Sequence, residues 1–167
     1  VIEEGILYRV GRIRQKGPGF EESKELLRTL AAFENRPFVP SDELLCQSRA
    51  LDFLRAHGFF FAAVVVETVR TDVPGIVDLV VTLSPGRRMR IGNLATSGAQ
   101  RTAECSLLGR FGIRRGAVYN AAALDAAERR LWFTGAFSSV DVKVQPAGGD
   151  KLDVDIHVEE RDSKSFA

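Results

Sequence analysis

The sequence predicts an α+β fold built twice over: two tandem βααββ units, each a three-stranded mixed sheet covered on one face by two helices. Three internal repeats carry this expectation. Residues 50–69 (ALDFLRAHGFFFAAVVVETV) read as a helix end, a glycine stop and a strand, and residues 127–144 (AERRLWFTGAFSSVDVKV) read the same way 77 positions later. In these copies Leu54 and Leu131 sit four residues before Gly58 and Gly135, and Phe60 and Phe137 sit two residues after them. Gly5, Arg9, Gly11 and Gly17 recur as Gly86, Arg90, Gly92 and Gly98 at a spacing of 81, and Val77, Asp78, Leu79 and Val81 recur as Val154, Asp155, Ile156 and Val158 at a spacing of 77. A repeat of this length exceeds a solenoid unit and matches a small domain. The units are placed at residues 1–85 and 86–162. The second copy loses four residues in its helices or their turns.

The elements follow in order. Residues 1–5 read as the tail of an earlier element. Residues 6–14 (ILYRVGRIR) alternate as a strand and stop at Gly17-Pro18-Gly19. Residues 20–34 carry a leucine stripe and two glutamates in the first turn, where the helix dipole favours them. After a turn with two prolines, Ser41 is positioned to cap a helix over residues 42–57, with Leu44, Leu45, Leu51 and Leu54 as its inner face. Gly58 stops this helix. Strands are expected over residues 60–69 and 76–83. The second unit repeats the order: strand 89–96, helix 101–111, Asn120 as cap, helix 121–134 stopped by Gly135, and strands 137–144 and 152–159. The chain reverses at each element. The last two strands of each unit therefore form an antiparallel hairpin, and the first strand runs parallel to the third, which takes the centre of the sheet. In the last strand Leu152, Val154, Ile156 and Val158 face in, whereas Asp153, Asp155, His157 and Glu159 face out, the alternation of a sheet wet on one side.

Composition excludes several functions. The 23 Lys and Arg are balanced by 22 Asp and Glu, so no strong field selects nucleic acid. The two cysteines, Cys46 and Cys105, have no metal or disulfide spacing and read as small buried apolar residues. No apolar run reaches the ~18 residues of a membrane helix. The chain opens on Val1, so it is expected to be a piece of a longer protein, and a missing targeting signal carries no weight. No nucleophile or acid–base pair stands in a recognisable motif, so no catalytic residue, metal or cofactor is expected. Asp153, Asp155, His157 and Glu159 lie ~7 Å apart along one strand face, too far to share an ion. His57 reads as a helix-end residue. Trp132 fits either an interface or the core.

A central third strand leaves the first and second strands of each unit as edges, with unpaired N–H and C=O groups open to an extended chain. The candidate binding residues therefore lie on the second strands: Phe60, Phe61, Ala62, Val64 and Val66 in the first unit, and Phe137, Val140 and Val142 in the second. Residues 59–66 are all apolar, whereas residues 137–144 alternate. Two readings fit the extra apolar face: a docking surface for a client or partner subunit, or a face hidden by a neighbouring domain or loop.

The glycines, the Leu-x-x-x-Gly-x-Phe block and the closing Val-Asp-x-x-Val strands together resemble the POTRA (polypeptide-transport-associated) family, found in the periplasmic arms of BamA- and TamA-type outer-membrane assembly proteins. The resemblance covers both units. It is fullest over residues 87–161, with Gly92, Gly98, Gly116, Tyr119, Leu124, Leu131, Gly135, Phe137, Val140, Val142 and then Val158-Glu159-Glu160-Arg161. No single element is specific; their repetition in order is. The first copy departs over residues 34–40. The resemblance implies a non-enzymatic periplasmic module that binds unfolded outer-membrane proteins by adding their strands to its edges and docks accessory subunits. It also implies a C-terminal β-barrel in the same protein, with residues 163–167 beginning the linker to it, and hence a barrel-proximal pair of domains. The alternative within this resemblance is the arm of a two-partner secretion transporter that recognises one secreted passenger. A more distant alternative is a pair of RNA-binding αβ domains, against which the acidic outer face of the last strand argues.

Overall fold

The computed structural model describes residues 7–161. Within that span the chain divides into two compact units, one holding residues up to Leu54 together with Phe61–Gly86, the other holding Arg55–Phe60 with the chain from Arg87 onward. The expected tail at residues 1–5, the start of the first strand at Ile6 and the linker at 163–167 lie outside the described residues.

The first unit is built from β1 (Arg9–Lys16), α1 (Ser23–Leu30), a 3-10 turn (Ala31–Phe33), α2 (Ser41–Ala56), β2 (Ala63–Arg70) and β3 (Ile76–Ser84). The second is built from β4 (Arg90–Ser97), α3 (Glu104–Phe111), α4 (Ala121–Phe133), β5 (Phe137–Pro146) and β6 (Lys151–Glu160). The sheet orders are β1-β3-β2 and β4-β6-β5. In each, the first strand pairs in parallel with the central one and the second pairs antiparallel to it. This is the predicted α+β architecture, with the third strand of each unit at the centre. Each core lies between the sheet and the two helices. In the second unit Leu107 and Phe111 of α3, Leu124, Ala127 and Leu131 of α4, Phe137 of β5 and the alternate residues Leu152, Val154, Ile156 and Val158 of β6 are buried together. No helix among the described residues is long and apolar enough to cross a membrane.

Three sequence expectations are corrected. First, β2 begins at Ala63, so Phe60, Phe61 and Ala62 are not strand residues: the first ladder pair is Ala63 with Ser84. Gly58, at φ 99°, turns the chain out of the helix, and Phe59–Phe61 form the turn that follows. Phe59 and Ala62 are buried and Phe61 is exposed. Phe60 belongs to the second unit, where its ring meets Tyr119 edge-on at 5.3 Å between centroids.

Second, α2 turns a different face inward. Cys46, Ala50 and Leu54, spaced at four residues, are buried, while Leu44 and Leu45 are 71% and 51% exposed. The N-terminal turn of α2 is anchored by Asp42, a buried carboxylate that accepts the Val39 N–H at 2.9 Å and pairs with Arg36, whose guanidinium lies 4.4 Å above the Phe33 ring. Residues 34–40, where the first copy departs from the second, thus hold the groups that fix this helix. Ser41 opens the helix rather than preceding it as a cap, whereas Asn120 caps α4 as expected, its side chain accepting the Ala123 N–H at 2.9 Å.

Third, the repeat spacing drifts. Gly58 and Gly135 are 77 apart, but Val64 stands where Val140 does and Val77 stands where Leu152 does, spacings of 76 and 75. The first unit spends one more residue between its glycine stop and its strand, and one more in its hairpin loop. Asp78 is therefore the counterpart of Asp153, not Asp155. The chemistry agrees. Asp78 accepts the Arg12 N–H at 2.8 Å and Asp153 accepts the Asn93 N–H at 2.7 Å, each pinning the irregular register of the first strand of its sheet. Gly11 and Gly92 sit beside these carboxylates because a Cβ there would lie 2.6 and 2.8 Å from a carboxylate oxygen.

Candidate strand-acceptor edges

Four strands lie at sheet edges, and three of them are shielded along part of their length by the chain's own groups. The first half of β1 is covered by the segment leading into α2: Val10 donates to Arg36 O at 2.9 Å, Asn35 donates to Val10 O at 2.9 Å, and Phe38 donates to Tyr8 O at 2.8 Å. The Glu34 carboxylate then takes the Ile13 N–H at 2.9 Å. The start of β4 is covered in the same way by residues 116–119, through Gly116 N–H to Ile91 O at 2.7 Å, Ile91 N–H to Ala117 O at 2.8 Å and Tyr119 N–H to Met89 O at 2.9 Å. Such covers remove the template that an exposed edge offers.

The second strands differ between the units. In an antiparallel pair, outward-facing N–H and C=O groups belong to alternate residues. On β2 the Thr68 N–H is donated to Glu43 of α2 at 3.1 Å, so the outward set is Val64, Val66, Thr68 and Arg70. The Thr68 hydroxyl donates to the same Glu43 oxygen. On β5 the matching residues are Val140, Val142 and Val144, and among the described residues no side chain is bonded to their outward backbone groups. Their side chains are half-buried. Beside Val140 runs a groove of about 230 Å³ walled by Asp125, Glu128, Arg129 and Trp132 of α4. Trp132 is 45% exposed, so it belongs to the groove and not to the core.

Of the expected binding residues, the structure brings Val140 and Val142 together on the open β5 edge. Val64 and Val66 lie on the β2 edge with their side chains buried under the helices. Phe137 is a fully buried core residue at the start of β5, opposite Glu160. Phe60, Phe61 and Ala62 lie ahead of the edge altogether. Of the motif glycines, Gly58 and Gly135 take the left-handed conformation that ends a helix. Gly98 combines φ 85° with a Cβ position occupied by the carbonyl oxygen of Val158. Glu43, Asp125, Glu128 and Trp132 have no motif that would single them out as edge or groove residues.

The outer faces of the two sheets differ as the alternation predicted, though over a shorter span. On β2 Val65 and Val69 are 54% and 45% exposed, with Glu67 between them. On β5 and β6 the same face carries Asp141, Lys143, Gln145, Asp155, His157 and Glu159. No cluster of three or more metal-ligating side chains occurs among the described residues. Cys46 is fully buried, and burial, reinforced by nearby Asp42 and opposed by Arg36, pushes its thiol up to about 11. Cys105 is exposed, contrary to the expectation that both cysteines are buried: it follows Glu104 on the outer side of the short helix α3.

The family model for POTRA, described as a surface antigen variable number repeat, matches residues 89–161. Across an alignment of 167 residues the chain is 22% identical to the outer membrane protein assembly factor BamA of Nitratidesulfovibrio vulgaris, covering 97% of this chain and 21% of that protein. The chain thus spans about a fifth of the length of this relative. A crystal structure of Haemophilus influenzae BamA POTRA domains 3–5 aligns with 92% of this chain and 61% of its own at 25% identity and a TM-score of 0.74. A crystal structure of Haemophilus ducreyi BamA lacking POTRA domains 1–3 aligns with 92% of this chain and 30% of its own at 21% identity and a TM-score of 0.80. With the sheet orders above, these matches place residues 89–161 in the POTRA family and give the whole chain the fold of two tandem POTRA domains.

Proposed function

We propose that this chain is part of the periplasmic arm of a BamA-type outer-membrane assembly protein, and that it works without catalysis by pairing extended segments of unfolded β-barrel proteins with the edge of β5. The observation that carries this reading is the uncapped run Val140, Val142, Val144 beside the α4 groove. Backbone pairing tolerates many sequences, which suits a receiver of many clients, and Trp132 in the adjoining groove offers one apolar contact beside the edge. The remainder of the parent protein supplies a membrane β-barrel, which would place this chain in the periplasm against the outer membrane. Alignment with a BamA lacking POTRA domains 1–3 supports a barrel-proximal position. Accessory-subunit docking falls to the exposed valines of the β2 outer face. The test is an amide NMR titration of the chain with an extended peptide from an outer-membrane β-strand. Concentrated shifts at Val140, Val142 and Val144 are expected. Unmoved β5 amides at saturating peptide would overturn the reading.

A further inference from the structure

Resting on that reading, we infer that the two domains are not equivalent strand acceptors, because Glu43 latches the β2 edge shut at Thr68. The carboxylate reaches from the first turn of α2 to the strand and accepts both the backbone N–H and the side-chain hydroxyl of one residue. A hydrogen bond to a charged acceptor is among the stronger kinds, and an incoming strand has to displace it before it can pair past Val66. The outward set available on β2 is then Val64 and Val66 only, too short a ladder for stable pairing.

The latch exists because α2 is longer than its counterpart. α2 has 16 residues and α4 has 13. The constant spacing of Leu54 to Leu131 places Ala121, the first residue of α4, opposite Leu44. Ser41, Asp42 and Glu43 therefore form an extra turn that α4 lacks. Asp42 holds that turn in place through Val39 and Arg36, and Glu43, its neighbour, is carried to the strand. In the second unit the residue matching Thr68 is Val144. It has no hydroxyl, and among the described residues no carboxylate is bonded to its N–H. The extra turn converts one of two similar edges into a closed one and directs extended chains to the other.

Backbone hydrogen exchange on the unliganded chain tests the latch without any client. In the wild-type protein the Thr68 amide is expected to exchange roughly tenfold more slowly than those of Val66 and Val144, the scale of one charge-assisted hydrogen bond. Glu43→Ala is expected to abolish that protection, and Glu43→Gln, which keeps an acceptor oxygen, to retain most of it. Peptide titration of Glu43→Ala then moves Val66, Thr68 and Arg70, which stay still in the wild type. Exchange of Thr68 as fast as Val66 in the wild-type chain would overturn the latch whether or not the variants fold, and so would unchanged protection in Glu43→Ala. Loss of Thr68 protection in Glu43→Ala with no peptide response at either edge would leave the latch standing and count against strand pairing as the function.

Discussion

The two POTRA-like domains share one plan and differ at the second edge of the sheet. Both cover the first edge of the sheet with the segment entering the second helix, and both pin an irregular first strand with an aspartate from the central strand. They part company at the second edge. In the first domain an added helical turn puts a carboxylate on the strand. In the second, a shorter helix leaves valine backbone beside a groove lined by Asp125, Glu128 and Trp132. Two copies of a fold can therefore keep the same core and still present opposite surfaces to a partner. The difference lies in a few residues at a helix start, not in the sheet.

The shared plan is open to attack at matched positions. The largest effect is expected at the glycines that end the first strands. At Gly98 a Cβ would fall on the Val158 carbonyl oxygen, and at Gly17, with φ 108°, it would lie 2.5 Å from that of Leu83. Alanine at either site is expected to destabilise its own domain by about 3 kcal/mol, from strain and displaced strand pairing, in urea denaturation followed by domain-resolved NMR. Similar losses confirm a common architecture; loss in only one domain would break the equivalence.

A smaller effect is expected at the aspartates. Asp78→Ala removes the partner of the Arg12 N–H and also an ion pair with Arg14 at 2.9 Å. Asp153→Ala removes the partner of the Asn93 N–H. Losses of about 2 kcal/mol and about 1 kcal/mol respectively are expected by the same denaturation. The substitution Asp155→Ala, which the sequence repeat alone would pair with Asp78, is expected to cost little, since Asp155 is exposed.

The thiols give the mildest contrast. Alkylation at pH 8 with mass-spectrometric mapping is expected to label exposed Cys105 and spare Cys46, which stays protonated in the folded state until pH approaches about 11. Because folding raises this pKa from 9.0, the associated stability is complete below pH 9 and is lost as pH rises through about 11. Labelling of Cys46 at pH 8 in the folded chain would contradict the packing assigned to α2.

Much of the fold was legible in the sequence, and the reasons are physical. The glycine stops, the hairpins and the alternation of Leu152, Val154, Ile156 and Val158 fix strand order and central strand, because side-chain period and chain reversal leave few alternatives. The two-residue error in matching Asp78 arose from that same period. A slip of two keeps every residue on its face, so only the hydrogen bonds of the bulge reveal the true match. The inner face of α2 was misread because leucines outrank Cys46 and Ala50 in hydropathy, while the buried, ion-paired Asp42 shares one face with Cys46, Ala50 and Leu54. Strand position places Val140 and Val142 at the sheet edge, and that is where they lie on β5. Phe60, Phe61 and Ala62 were misplaced because an apolar run carries no marker of where a turn ends and a ladder begins. Glu43 was invisible because its role depends on a contact 25 residues away, made possible by a difference in helix length.

The most direct test of strand pairing at β5 is the substitution Val142→Pro. The Val142 N–H faces away from β6, so proline there removes an acceptor-edge donor while leaving the internal ladder in place. Binding of an extended outer-membrane strand peptide would be measured by calorimetry, with Val142→Ala as the control for lost side-chain volume and circular dichroism to confirm folding. Strand pairing predicts that Val142→Ala binds within a few-fold of wild type and that Val142→Pro loses binding by at least about tenfold, the scale of one edge hydrogen bond and its neighbours. A folded Val142→Pro chain that binds as well as Val142→Ala would contradict pairing at this edge.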